Sequence, residues 1–145
     1  MTLSLFYKLS KEEQDLLLAS VDMLTEKLNE LVNIFYYNFL TNNEEILPLF
    51  KDIDMNKQYN MFMVSIGFII TNIENPDALA GHMDYLIYRH IEYGVLPEHI
   101  PAFIEAFSKT IDEILDETDP RTGIAWMKVI QNAMNYFKEK LSSSI

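Results

Sequence analysis

Apolar residues recur at the spacing of an α-helix along almost the whole chain, and no other feature restricts the fold so strongly. Such stripes include Leu28, Leu31, Val32, Phe35, Tyr36 and Phe39, and later Ile124, Met127, Ile130, Met134 and Phe137. No segment alternates apolar and polar residues convincingly, and 4 Gly and 5 Pro in 145 residues are too few for a turn-rich β fold. Because 49% of the residues are hydrophobic, the chain can bury a core. The sequence therefore predicts an all-α fold of about seven or eight helices.

Capping and breaking residues predict where these helices begin and end. Ser10 and Glu13 form a capping box, which starts a helix that runs to about Leu24, and Thr25 is expected to cap the next helix, to about Thr41. The later segments are a short turn over 44–49 and helices over about 55–73, 76–93, 97–115 and 120–141. Gly94 marks the stop after the second of these four long helices.

Composition excludes several classes of protein. The net charge is −11, and the 11 basic residues form no stripe, so nucleic acid is not an expected partner. The chain contains no Cys, which excludes disulfide bonds, catalysis by a thiolate and zinc fingers. No uncharged apolar run reaches the roughly 18 residues of a membrane span, and the first residues do not resemble a signal peptide. We therefore expect one cytoplasmic domain over residues 1–145, without membrane contact.

His90 stands at the end of an apolar stripe and needs polar partners there. The stripe runs through Leu79, Met83, Leu86, Ile87 and His90. A histidine in this position is often a core-edge residue bonded to a backbone carbonyl. Tyr36 and Gln58 also lie among apolar neighbours on other predicted helices. A haem would use all three, because its iron takes one axial histidine and the opposite side of the pocket supplies hydrogen-bond donors.

Four stretches of the sequence carry a resemblance to a known family. They are FYYNFL at 35–40, ILPLF at 46–50, MNKQ at 55–58, and RHIEYGV at 89–95 followed by Glu98, His99 and Pro101. The last is similar to the signature H-x-x-x-G-V…E-H-Y-P of bacterial globins of the flavohaemoglobin and single-domain haemoglobin group. NIEN at 72–75 is a weaker match in the same register. The resemblance covers nearly the whole chain and implies a globin fold.

The resemblance also implies a set of haem-binding residues. His90 would be the iron ligand of a non-covalent haem b, Phe50 would stack on the haem, and Tyr36 and Gln58 would face the bound gas. Phe62 stands where the family usually has a leucine over the iron, although ordinary core packing is the alternative. The expected cofactor-binding residues also include Val95, Ile100, Phe103, Lys57 and His99, and Lys57 is preferred to Arg89 as the partner of a propionate. His82 is expected to be exposed.

Two departures from the family concern the side of the haem that carries His90. The family places a tyrosine at position 100 and a glutamate near position 141, and the two polarise the axial histidine. Here these positions are Ile100 and Leu141, with Glu139 nearby. Weaker polarisation makes peroxidase-like chemistry and efficient dioxygenase turnover less expected. These 145 residues do not include the family's flavin and nicotinamide domain, so we expect turnover to need an external reductase.

The implied function is gas binding at a pentacoordinate haem iron. O2, NO and CO are the expected ligands, and scavenging of NO or O2 is the expected role, with NO dioxygenase activity only alongside an external reductase. The alternative is a gas- or redox-sensing module that signals through a protein partner. A haem-free globin that serves only protein interaction is a third alternative, and the joint presence of His90, Tyr36, Gln58 and Phe50 argues against it. The chain is expected to be a monomer or a homodimer.

Overall fold

The structure, a computed structural model, describes residues 3–143 and contains seven α-helices within them. These are α1 Lys11–Ala19, α2 Val21–Glu26, α3 Leu28–Asn42, α4 Met55–Thr71, α5 Pro76–Glu92, α6 Ile100–Ile114 and α7 Pro120–Ser143. Two 3-10 segments, Glu44–Phe50 and Pro97–His99, precede α4 and α6. No strand occurs among these residues, so the all-α prediction is confirmed.

Most of the predicted helix boundaries are confirmed by the caps. At the start of α1, the Glu13 amide donates to Ser10 Oγ at 3.1 Å and the Ser10 amide donates to Glu13 Oε1 at 3.0 Å. The Asp54 carboxylate accepts from the first amides of α4, and Asn75 caps α5 just before Pro76. Gly94 ends α5 with a φ of +84°, a left-handed conformation that glycine adopts without strain.

The prediction that Thr25 caps a helix is wrong. Thr25 lies inside α2, where its hydroxyl donates to the Val21 carbonyl at 2.8 Å. Thr and Ser hydroxyls can bond back to the preceding turn in this way, so a cap-forming residue type does not by itself mark a helix start. The chain instead turns at Lys27, whose amide donates to the carbonyls of Met23 and Leu24.

A cluster of aromatic rings forms the centre of the core between α3, α4 and α6. The Phe35 ring centroid lies 4.9 Å from that of Phe62, 5.1 Å from that of Phe103 and 5.2 Å from that of Phe107. Such off-parallel pairs contribute beyond the area that they bury. The cluster fixes the first half of α4 against α3 and α6, and this half carries Gln58.

The prediction of which face of α7 points inward is partly wrong. Ile124 is 52% exposed, whereas Trp126 is buried and its indole N–H donates to Ser20 Oγ at 2.7 Å. The buried stripe of α7 is therefore rotated relative to the predicted one at this end. Further along, Phe137 is buried as expected.

Two side chains of α7, Lys128 and Asn132, donate hydrogen bonds to carbonyls of the segment before α1. Asn132 donates to the carbonyls of Leu5 and Tyr7, each at 2.8 Å. These bonds hold the side chain of Leu5 in the core. Among residues 3–143, none of the helices combines the length and the apolar character needed to cross a membrane.

Candidate functional site

A cavity of about 600 Å³ lies within the helices and is lined by side chains of α3, α4, α5, α6 and α7. Its wall is almost entirely apolar, and its polar lining residues include Tyr36, Gln58, Ser65, His82 and His90. Small-molecule sites typically have this character and a volume of roughly 300–1,000 Å³. Most of the residues predicted to bind a cofactor line it, namely Tyr36, Phe50, Gln58, Phe62, His90, Val95, His99, Ile100 and Phe103.

His90 lies near the end of α5 with its ring directed by one hydrogen bond. Its Nδ1 lies 2.6 Å from the Leu86 carbonyl oxygen. Because a carbonyl can only accept, Nδ1 carries the proton and Nε2 carries a lone pair. The edge of the ring also contacts Phe137, with ring centroids 5.2 Å apart. Burial lowers the pKa of His90, so burial favours the neutral form that can bind a metal.

Tyr36 and Gln58 form a polar pair in the same cavity. Gln58 Nε2 donates to Tyr36 Oη at 2.9 Å, which joins α4 to α3. Since the phenol oxygen is the acceptor in this bond, its own O–H remains able to donate to a ligand. Tyr36 is only 3% exposed, and burial raises its pKa to about 12. The phenol is therefore protonated at any physiological pH.

Aromatic rings hold Tyr36 in place. Tyr59 stacks on it with centroids 4.8 Å apart and an interplanar angle of 19°, and Phe62 contacts it edge-on at 5.3 Å. Phe50 lies 6.2 Å away, also edge-on. With neighbours on several sides the phenol has little freedom to turn, so its hydroxyl is preorganised.

The structure does not bring Lys57 to the cavity. Its side chain is exposed, because Lys57 lies in the first turn of α4 next to the Asp54 cap and on the solvent side of the helix. Arg89 lines the cavity instead, and its Nη2 donates to Tyr93 Oη at 2.7 Å. The Arg89 Nε is buried without a hydrogen-bond partner in the described part of the chain, with a Glu92 carboxylate oxygen 3.9 Å away. Arg89 is thus the better placed cation for an anionic group.

The prediction that His82 is exposed is wrong. His82 is half-buried between α4 and α5, lines the cavity, and its Nε2 lies 2.8 Å from Ser65 Oγ. Its ring also packs on Phe68, with centroids 4.7 Å apart, and burial lowers its pKa. The sequence feature that could have indicated this contact is Ser65, a polar residue among the apolar residues of α4.

His99 caps the turn before α6. Its Nδ1 accepts from the Leu96 amide at 2.9 Å, so this nitrogen is already used by the backbone. The ring is half-buried at the edge of the cavity.

His90 Nδ1 has the Leu86 carbonyl as its hydrogen-bond acceptor, and the side chains at positions 100 and 141 are apolar. Ile100 and Leu141 are both buried, and Glu139 is exposed. Asp84, on α5, accepts a hydrogen bond from Tyr136 Oη of α7 at 2.5 Å. The hydrogen-bond acceptor of His90 Nδ1 is the neutral Leu86 carbonyl, which polarises an imidazole less than a carboxylate does.

Comparison with known proteins gives consistent results for sequence and structure. The family model described as Globin matches residues 33–137. Flavohemoprotein of Deinococcus radiodurans is 26% identical over 121 residues, covering 81% of this chain and 30% of that protein. Flavohemoprotein of Pseudomonas putida is 25% identical over 122 residues, covering 81% of this chain and 31% of that protein. The chain thus spans about a third of the length of these relatives.

Two solved structures have the same fold. A bacterial globin from Campylobacter jejuni superimposes with a TM-score of 0.77 at 24% identity, covering 92% of this chain and 99% of that one. An engineered carbene transferase, made from a candidate nitric oxide dioxygenase of Rhodothermus marinus, superimposes with a TM-score of 0.81 at 22% identity. It covers 94% of this chain and 96% of the other.

Proposed function

We propose that this chain, which belongs to the globin family, binds one haem b in its cavity and uses His90 as the axial ligand of the iron. The observation that carries the proposal is the hydrogen bond from His90 Nδ1 to the Leu86 carbonyl, at 2.6 Å. It fixes the tautomer whose Nε2 lone pair can bind a metal. Metal-bound histidines commonly have their other ring nitrogen fixed in this way.

The residues of the cavity fit such a group in size, polarity and charge. The volume of about 600 Å³ and the nearly apolar wall suit a large flat hydrophobic molecule. The rings of Phe50 and Phe103 would pack against it. The buried Arg89 Nε, which lacks a hydrogen-bond partner in residues 3–143, would gain one from a carboxylate of the cofactor.

Haem supplies an iron that binds diatomic gases such as O2, NO and CO. The chain contributes the hydrogen-bond donors that discriminate among them. Tyr36 can donate its hydroxyl proton while Gln58 holds its oxygen, and both line the cavity. Such donors favour a ligand that carries negative charge when bound, which is the case for O2 more than for CO. The expected result is tight O2 binding and slow release.

Scavenging of O2 or NO is the role that this pocket supports best. Two relatives are named flavohemoprotein, and one structural neighbour is described as a candidate nitric oxide dioxygenase. Any dioxygenase turnover by the 145-residue chain would draw electrons from an external reductase. His90 lacks a carboxylate partner on Nδ1 in the described structure, which favours gas binding over peroxide chemistry. A sensing role has no supporting feature in the described residues.

We place this activity in a single cytoplasmic globin domain over residues 1–145, as a monomer or a homodimer. The experiment that tests the axial ligand compares His90→Ala with His99→Ala. Both variants are reduced under CO and their absorption spectra are recorded with and without imidazole. His90→Ala should bind little haem and recover in imidazole, whereas His99→Ala should match the unmodified protein. An unchanged spectrum in His90→Ala would assign the iron to another ligand.

A further inference from the structure

We propose that Met61, at the mouth of the cavity, is an oxidation site, where hydrogen peroxide converts the thioether to a sulfoxide and thereby weakens the retention of the cofactor. The site belongs to the chain itself, and its oxidation does not require haem. The effect on cofactor retention rests on the proposed function, because that part of the inference needs haem in the cavity.

The mouth of the cavity is marked by side chains that line the cavity and are exposed to solvent at the same time. On α4 these include Met61, which is 55% exposed, and Val64, and on α5 they include Tyr85. Met61 follows Gln58 by three residues, so the two side chains lie on the same side of α4, about one helical turn apart. The Met61 thioether is therefore open to solvent at the entrance of the proposed haem site.

Among the sulfur-containing side chains of residues 3–143, that of Met61 is the most accessible. The chain has no Cys, so no thiol competes for the oxidant. Met83 is buried, and the other methionines in this part of the chain are half-buried. They include Met63, which lies only two residues after Met61 but points to a different side of the helix. Since oxidation follows exposure, Met61 should react first among these side chains.

The reaction transfers one oxygen atom to sulfur. A lone pair of Met61 Sδ attacks one oxygen of hydrogen peroxide, an S–O bond forms, and the O–O bond breaks. The sulfur loses two electrons to the peroxide, whose second oxygen takes up the proton of the transferred oxygen and leaves as water. The product is methionine sulfoxide, which sulfoxide reductases convert back to methionine. An exposed thioether needs no neighbouring base for this step.

Oxidation makes the mouth of the cavity polar. A thioether packs against apolar surfaces, whereas a sulfoxide oxygen is a hydrogen-bond acceptor that keeps water around it. The next residue, Phe62, belongs to the apolar wall, so the sulfoxide would bring water to the edge of that wall. A hydrophobic cofactor would lose apolar contact at this edge, and its release should become roughly three- to tenfold faster.

Timed treatment with hydrogen peroxide, followed by peptide mass spectrometry, tests the site. The full chain is treated with haem and cyanide, because cyanide on the iron keeps peroxide from the metal, and the haem-free chain is treated in parallel. In both forms Met61 should be oxidised on the order of tenfold faster than Met63, its matched control on the same helix. Oxidation of Met63 or Met83 before Met61, or equal rates at Met61 and Met63, would overturn the proposal.

Two substitutions test the effect on retention. Met61→Leu keeps an apolar side chain without sulfur, and Met61→Gln introduces a permanently polar side chain of similar length. The rate of haem loss is measured by transfer to excess apomyoglobin, after peroxide and cyanide have been removed. Peroxide should accelerate the loss from the unmodified protein but not from Met61→Leu, and Met61→Gln should release haem faster without peroxide. Equal acceleration in Met61→Leu, or equal rates in the two untreated variants, would overturn the effect on retention.

The two measurements separate this inference from the proposed function. A chain that takes up no haem but is oxidised first at Met61 would reject the haem proposal, and with it the effect on retention, while supporting the oxidation site. Haem uptake by a chain in which Met61 is oxidised no faster than Met63 would reject the oxidation site alone.

Discussion

Replacing Tyr36 by phenylalanine is expected to speed the release of O2 from the haem-loaded protein. The change removes one hydroxyl from a ring that is 3% exposed and packed against Tyr59 and Phe62. We therefore expect the remaining ring to keep its position. Gln58 donates to the Tyr36 oxygen at 2.9 Å, which leaves the phenol proton for the ligand. The variant therefore deletes a hydrogen bond rather than remodelling the cavity.

The size of the effect follows from the kind of bond that is lost. Hydrogen bonds to charged or partly charged acceptors contribute roughly 1.5–3 kcal/mol. At about 1.4 kcal/mol per factor of ten, O2 dissociation should accelerate on the order of 10- to 100-fold. In Tyr36→Phe the Gln58 amide loses its acceptor and can turn to the ligand, which restores part of the loss. The double variant Tyr36→Phe/Gln58→Leu should therefore lie at the upper end of this range.

Stopped-flow displacement of O2 and of CO from the reduced protein measures both rates. CO is less polar when bound, so its dissociation should change far less than that of O2. Tyr37→Phe is the matched control, because Tyr37 is the next residue on α3 and is 70% exposed. Equal acceleration for both gases would indicate a steric effect. No change for either gas would show that Tyr36 is a core tyrosine without a role in ligand binding.

Three further predictions concern the histidines and the core. His90→Ala should lower haem content sharply in pyridine haemochrome assays, and added imidazole should restore part of it, whereas His99→Ala should have full content. Ser20→Ala leaves the buried Trp126 N–H without its acceptor, so urea unfolding should show a loss of roughly 1–3 kcal/mol, and an unchanged midpoint would contradict that bond. Burial lowers the pKa of both His82 and His90 from 6.5, so between that pH and the folded-state pKa values the unfolded chain binds more protons than the folded chain. The unfolding free energy of the haem-free protein should therefore fall as the pH drops from 7 through 6.5 and level off below the folded-state pKa values, and the slope should diminish in His82→Asn.

Local sequence signals located most of the helices because the physics that ends a helix is local. The Ser10 and Glu13 capping box and the left-handed Gly94 needed only neighbouring residues to be interpreted, and both predictions are confirmed. The prediction at Thr25 failed, since a threonine hydroxyl can also donate to a carbonyl of the preceding turn. A local signal cannot distinguish these two uses when both satisfy the side chain.

Long-range packing accounts for what the sequence did not predict. His82 is half-buried against α4 and contacts Ser65, which lies 17 positions earlier in the sequence. The Trp126 indole donates to Ser20, which lies 106 positions earlier. The inward positions of His90, Tyr36 and Gln58 on their helices are compatible with one haem site, and the family resemblance implies the role of each. The structure adds that all three line one cavity, and their roles towards haem stay a prediction.

Haem titration of the purified haem-free chain tests the central claim most directly. Added haem should produce a Soret band whose growth stops at one equivalent, and because the chain has no Cys, acidified butanone should extract all of the colour. A band that grows without saturation, or no band with a correctly folded chain, would contradict haem binding by this cavity.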